Sequence, residues 1–207
     1  MSRILILGTR NRKKLGELIG LLAPHGFELH TLADYPSAIE VEETGQTFAE
    51  NAALKAVQQA RHLQAWVLGE DSGLSVDALD GAPGVYSARF SGDDATDEKN
   101  NDLLLEKLRG VPLERRTAHY TCHATLSDPA GRIQAEVEDY CPGRIRFERQ
   151  GNGGFGYDPL FEVVEYGQTF GELPGEVKAE ISHRAKAIKR LAPMIVRLVE
   201  SGAWPTC

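Results

Sequence analysis

Apolar residues fall into two rhythms along this chain, short continuous runs and helical repeats, and the two alternate. Ile4 to Leu7 is a continuous run closed by Gly8, the pattern of a buried strand. Leu15, Leu18, Ile19 and Leu22 then recur at helical spacing until Pro24 and Gly26 stop the helix. Phe27 to Leu32 reads as a second strand, so the chain opens as an α/β fold. Thr47-Phe-Ala-Glu50 has the form of a capping box and starts a helix through Asn51, Leu54, Lys55, Val57 and Ala60 to Leu63. Trp66 to Gly69 is a short strand ending in Glu70-Asp71-Ser72-Gly73, and residues 74–77 alternate as a further one. Residues 82–89 are loop-like. Thr96 to Leu108 is a polar helix with a stripe at Leu104, Leu105 and Leu108.

Residues 117–126 and 132–140 alternate around Asp128-Pro-Ala-Gly131, which predicts a hairpin. Gly151 to Asp158 is glycine-rich, Leu160 to Val164 is strand-like, and Ser182 to Val199 is a long amphipathic helix with Ser182 as its cap. There is no repeat, low-complexity tract or linker, so residues 1–207 read as one domain, with the hairpin as a possible sub-lobe.

Composition narrows the function classes. With 23 basic and 30 acidic residues the net charge is −7, which disfavours nucleic acid as a partner while leaving room for a small anion held locally. Cys122, Cys141 and Cys207 are scattered and odd in number, so they form no disulfide framework. No stretch reaches the ~20 apolar residues of a membrane span, and Met1 to Gly8 lacks a signal-peptide core. A cytoplasmic protein with no membrane partner is expected.

Several segments carry chemistry. Thr9, Arg10, Asn11, Arg12, Lys13 and Lys14 lie between a strand and a helix, where free N–H groups favour anions and the basic side chains add charge. The spacing is not that of a P-loop. Glu42 and Glu43 beside Gly45, and Glu70 and Asp71 after an apolar run, offer oxygen ligands for a hard cation. Carboxylates at a strand end lie where α/β sheets place ligands. Asn51 and Lys55 share one helix face. Phe155 and Tyr157, in the segment from Gly153 to Asp158, could stack on a base. Lys178 precedes Ser182-His183-Arg184, whose cations at a helix start suit a ligand better than the helix dipole. His119 and His123 on one extended strand would lie ~13 Å apart, too far for one zinc ion.

Taken together, these motifs resemble the inosine-triphosphate pyrophosphatase family from Ile4 to about Arg197. The matching segments are residues 9–14, residues 43–52 with Lys55, residues 70–74, residues 81–89, residues 153–159 and residues 181–184, in order. The resemblance implies an elongated mixed β-sheet flanked by helices, two lobes with a central cleft, and a homodimer. It implies Mg²⁺-dependent cleavage of inosine, deoxyinosine and xanthosine triphosphates to a monophosphate and pyrophosphate. Thr9 to Lys14 would contact phosphates, with Lys55 also on the substrate. Asp71 would be catalytic and, with Glu42, a metal ligand. Ser72, Phe155, Gly156, Tyr157, Asp158, Lys178, His183 and Arg184 would bind substrate. Two positions depart from the common pattern: Arg10 stands where a glycine is usual, and Glu70 where many members have aspartate. The residues alone leave open which of Glu42, Glu43, Glu70 and Asp71 touches the metal.

Base choice follows donor and acceptor logic. An acceptor oxygen at C6 suits donors from Arg184, His183 or the backbone, which would reject adenine. The competing readings are a pyrophosphatase of similar fold for modified pyrimidine or other nucleotides, a nucleotide sensor without catalysis, and a nucleic-acid-binding module, which the −7 charge and the lack of a long basic stripe disfavour.

Overall fold

The computed structural model describes residues 3–204. Among them, seven strands form one mixed sheet: β1 (Ile4–Leu7), β2 (Glu28–Thr31), β3 (Val67–Val76), β4 (Thr117–Ser127), β5 (Ile133–Ile145), β6 (Phe161–Val163) and β7 (Gln168–Thr169). Their order is β2-β1-β3-β4-β5-β6-β7. β1 runs parallel to β2 and to β3, whereas β5–β6 and β6–β7 are antiparallel. The helices are α1 (Arg12–Leu22), α2 (Phe48–Leu63), α3 (Asp97–Lys107), α4 (Gly175–Ile181) and α5 (His183–Glu200). This is the expected α/β class with a mixed sheet flanked by helices. None of the described helices is long and apolar enough to cross a membrane. Cys207 lies outside the described residues.

The chain divides into two compact units. The first comprises residues 1–71, 122–139 and 184–207, the second residues 72–121 and 140–183. All four breaks fall inside β3, β4, β5 or α5, never at a linker. The hairpin β4–β5 is therefore no separate sub-lobe, because its strands supply both units.

In the first unit, Leu5, Leu7, Leu68, Cys122, Ala124 and Leu126 pack with Leu18 and Leu22 of α1 and Ile188, Leu191 and Ile195 of α5. α2 lies so close to β3 that a Cβ on Gly69 would come within 2.3 Å of the Ala52 carbonyl oxygen. In the second unit, Leu74, Val76, Leu104, Leu108, Tyr120, Phe161 and Phe170 form a separate core.

Several elements differ from the sequence expectation, among them the short strand β7, which no sequence pattern announced. Residues 67–76 are one strand, so Glu70 and Asp71 lie within it rather than in a terminal turn. Their charges are matched by neighbouring cations, as shown below, which lets a strand carry them in a buried position. β1 pairs with β3 only as far as Leu68, so both carboxylates lie just past the C-terminal end of their parallel neighbour. Helix α1 begins at Arg12, inside the segment read as a loop. Helix α4 has no apolar repeat long enough to announce it, and Ser182 is the extended residue between α4 and α5.

Candidate active site

The first unit gathers the charged residues of five segments. Asp71 is 5% exposed. Its Oδ1 accepts from Lys55 Nζ at 2.8 Å, and its Oδ2 from Asn51 Nδ2 at 3.3 Å. Lys55 also reaches Glu43 Oε1 at 3.3 Å, so two carboxylates flank one ammonium. The first turn of α2 explains the convergence. Thr47 Oγ1 accepts from Glu50 N, which caps the helix and places Asn51 and Lys55 one turn apart on the same face. The Glu50 carboxylate accepts from Gln46 N at 2.6 Å rather than closing the full box.

Burial pushes the Asp71 carboxyl above its ordinary range, with the Lys55 and Lys14 ammoniums pulling the other way. Burial opposes the charge on Lys55 too, yet Asp71, Glu43 and Glu70 together outweigh it and hold that pKa above the usual lysine value. The difference is one of number: Lys55 faces three carboxylates and stays charged.

Glu70 points into a second cluster of the same unit. It lies 3.2 Å from Lys14 Nζ and accepts from Arg184 Nε at 3.2 Å and Nη2 at 2.9 Å. Arg184 also bonds to Glu17 of α1. Its guanidinium is 1% exposed. Burial works against that charge, but Glu70, the Cys122 sulfur and Glu17 outweigh it and raise the pKa. Cys122 donates to Glu70 Oε1 at 3.4 Å, and burial lifts its thiol well above the normal value, so it is no nucleophile.

The basic segment after β1 is more organised than a solvated loop. Asn11 caps α1, its Oδ1 accepting from Lys13 N and Lys14 N, so two of the N–H groups expected to be free for an anion are already bonded. Thr9 Oγ1 accepts from Asn11 N. Arg10 donates to the Ala38 carbonyl at 3.0 Å, tying this segment to the chain that leads to Glu43. Arg12 and Lys13 are exposed and Lys14 is half-buried. Glu42 is exposed, and it is Glu43 that reaches Lys55 and through it adjoins Asp71.

The second unit holds the remaining expected residues. Asp158 is buried. Its Oδ2 accepts from Lys178 Nζ at 2.6 Å and from Phe155 N at 2.7 Å, and Tyr120 OH donates to its Oδ1 at 3.3 Å. The Lys178 ammonium lies 4.6 Å from the Phe155 ring centre, over a half-buried aromatic face. Gly154 has φ +70°, and a Cβ there would meet Asp158 Oδ2 at 2.1 Å, so the turn requires glycine. Gly156 is tied at both ends, N to Asp97 and O to Asn101, each at 2.9 Å.

Tyr157 departs from the expectation of a ring free to stack on a base. Its ring is 3% exposed in the second core and its hydroxyl donates to the Ser87 carbonyl. Aromatic residues in a glycine-rich segment look alike in sequence, and only packing separates Phe155 from Tyr157. Ser72 is half-buried on β3. His183 is 4% exposed and stacks on Tyr120, ring centres 4.7 Å apart. On β4, His123 faces Glu138 and Glu136, and His119 meets the Tyr140 ring edge-on.

Among the described residues, no group of three or more His, Cys, Asp or Glu side chains is set to hold a metal ion. Magnesium in nucleotide sites commonly takes one or two carboxylates, with substrate phosphates and water supplying the rest. Asp71 and Glu43, both within 3.3 Å of one ammonium, fit that hard-oxygen donor set. Glu17 is the residue of this cluster that the sequence did not single out, because it looks like an ordinary helix acid. Glu43 was a candidate metal ligand and Asn51 a neighbour of Lys55 on one helix face, and the structure adds the contacts each makes.

Residues 5–194 match the model of the Ham1 family. A dITP/XTP pyrophosphatase of Rhodopirellula baltica is 52% identical over 199 residues, covering 96% of each chain. Another, of Desulforamulus reducens, is 50% identical over 194 residues, covering 94% of this chain and 96% of its own. The structure of a HAM1 protein from Coxiella burnetii superposes with a TM-score of 0.86 at 34% identity, covering 94% of this chain and 99% of that one. A nucleoside-triphosphatase / dITP/XTP pyrophosphatase from Mycobacterium abscessus gives 0.75 at 40% identity, covering 93% and 99%. Agreement in sequence and fold over nearly the full length establishes that this chain belongs to the Ham1 family.

Proposed function

We propose that this chain is a nucleoside-triphosphate pyrophosphatase that hydrolyses dITP, ITP and XTP to the monophosphate and pyrophosphate, clearing non-standard purines from the nucleotide pool. The observation that carries the reading is the cluster of Asp71, Lys55, Glu43 and Asn51 beside Lys14–Glu70, in a chain about half identical to proteins named for this activity.

Asp71 positions and deprotonates a water. The water oxygen bonds to the α-phosphorus, the bond to the bridging oxygen breaks, and the water proton passes to the Asp71 carboxylate. A carboxyl lifted by burial is a better proton acceptor than an ordinary aspartate. Lys55 and Lys14 supply positive charge to the triphosphate, and reactions of this type depend mostly on positioning and charge stabilisation. A bound Mg²⁺ would neutralise phosphate charge, with Asp71 and Glu43 as its oxygen ligands. Glu42 and Glu43 are both exposed, and Glu43 is the better suited because it reaches Lys55 beside Asp71. Phe155, with the Lys178 ammonium beside it, offers a flat face to a base. Arg184 is already gripped by Glu70 and Glu17, so its guanidinium holds Glu70 in place rather than reading the base oxygen. A homodimer and a cytoplasmic location belong to the same proposal.

The test is pyrophosphate release from dITP, XTP, GTP and ATP, with Mg²⁺ and with a chelator. Release from dITP and XTP that needs the metal, with little from ATP or GTP, is expected. Equal release from all four, or none, would overturn the reading.

A further inference from the structure

Asn51 is fully buried in the first turn of α2, although its side chain carries both a donor and an acceptor end. Leaving such a group unpaired in the interior is costly, so its partners explain its place. Oδ1 accepts from Gly45 N at 2.8 Å, and Nδ2 donates to Asp71 Oδ2 at 3.3 Å. The polarity of the amide is thereby set, because Gly45 presents an N–H and Asp71 presents an oxygen. Gly45 has no room for a side chain. A Cβ there would lie 2.6 Å from Asn51 Oδ1 and 2.6 Å from Glu50 Cβ. The backbone of Gly45 is outside the left-handed region, so the restriction is one of space. One turn further along the same face, Lys55 holds the other Asp71 oxygen and also Glu43. Both oxygens of Asp71 are therefore tied, by separate residues of one helix face, to the segment from Glu43 to Gly45.

We propose that Asn51 is a positioning residue for the hydrolysis, orienting the Asp71 carboxylate and coupling it to the acidic segment through Gly45. This rests on the reading of Asp71 as the group that activates water. Asn51 acts through Asp71, so its loss affects the chemical step more than substrate binding. A displacement of the order of 1 Å at a reacting group costs about 100-fold in rate.

The experiment measures kcat and KM for dITP in the full-length protein and in Asn51→Ala, Asn51→Asp, Gly45→Ala and Asp71→Asn. It adds the side-chain amide ¹H–¹⁵N resonances of Asn51. Asn51→Asp keeps an acceptor for Gly45 but has no donor for Asp71. All three variants at positions 51 and 45 are expected to lower kcat about 10- to 100-fold, with KM changed less than about threefold. The Asn51 amide resonances of the native side chain are expected to shift in Asp71→Asn and in Gly45→Ala. Wild-type kcat in Asn51→Asp would overturn the link to Asp71, as would amide resonances unmoved by Asp71→Asn. Should Asn51→Ala fail to fold, Asn51→Asp and Gly45→Ala still decide. If Asp71→Asn is inactive while the other variants turn over normally, this inference alone fails. If Asp71→Asn itself turns over normally, the assignment of Asp71 fails and the inference falls with it.

Discussion

Burial works against the charge of both Asp71 and Lys55, but only the lysine has enough opposite charge around it to win. That imbalance gives Asp71 two separable properties. In the metal-free protein it is a stronger base than a solvated aspartate, so its carboxyl is expected to titrate there above the ordinary value of 3.8, and a bound cation is expected to pull it back down. For stability the sign is reversed from the usual carboxylate. A pKa raised in the folded state means that the charged form is disfavoured there, so the contribution of this group improves as pH falls through the folded pKa. Asp71→Asn is accordingly expected to cost about 10²–10⁴-fold in kcat without lowering the melting temperature. A carboxyl titration of the metal-free protein by NMR, the kcat of the variant and a thermal melt check these outcomes. Retained turnover would remove Asp71 from the chemistry. The candidate acids and bases at positions 9–14, 42–43, 70–71 and 178–184 were legible as residue types. Their pairing was not. Nothing in the order of residues says that Arg184 meets Glu17 and Glu70, residues 167 and 114 positions away.

At the scale of elements, α2 and β3 form the frame on which that chemistry depends. Their backbones touch at Gly69, where a Cβ would sit 2.6 Å from Ala56 N as well as 2.3 Å from Ala52 O. Gly69→Ala is expected to destabilise the protein by about 1–3 kcal/mol or more through overpacking against backbone, seen as a lower urea midpoint with an unchanged slope. An unchanged midpoint would mean that the two elements are not held at this distance. Helices α1, α2, α3 and α5 were legible because each has a cap or a stop and an apolar stripe. The N-caps Asn11, Thr47 and Thr96 all accept from the backbone of the first turn. The β4–β5 hairpin was legible because Asp128 is a turn residue by chemistry, its Oδ1 accepting from Ala130 N and Arg132 N. β3 was read as two pieces because Glu70-Asp71-Ser72-Gly73 has the composition of a turn, and only its salt-bridge partners make it tolerable in a strand. Helix α4 was missed because seven residues starting at Gly175 are too few to show a period.

The whole molecule brings residues from near both ends of the described chain together in the first unit. Arg3 Nε donates to the Trp204 carbonyl, and the Trp204 ring stacks on Trp66 at 4.3 Å and on Phe27 at 6.1 Å. Trp204 is 2% exposed in the core of that unit. Trp204→Ala is expected to cost about 3–5 kcal/mol, measured by chemical denaturation, and a loss under 1 kcal/mol would show that the stack contributes little. The sequence by itself determined the α/β class, most element positions, the membership of a family and the inventory of acids, bases and aromatics. These depend on local spacing, capping and composition, which the order of residues contains directly. Only the tertiary structure decided which acid stands beside Lys55, that Tyr157 is core while Phe155 is half-buried, and that Asn51 joins Gly45 to Asp71. Those outcomes are set by contacts between segments far apart in the chain, where burial and the pairing of charge depend on which segments fold against one another.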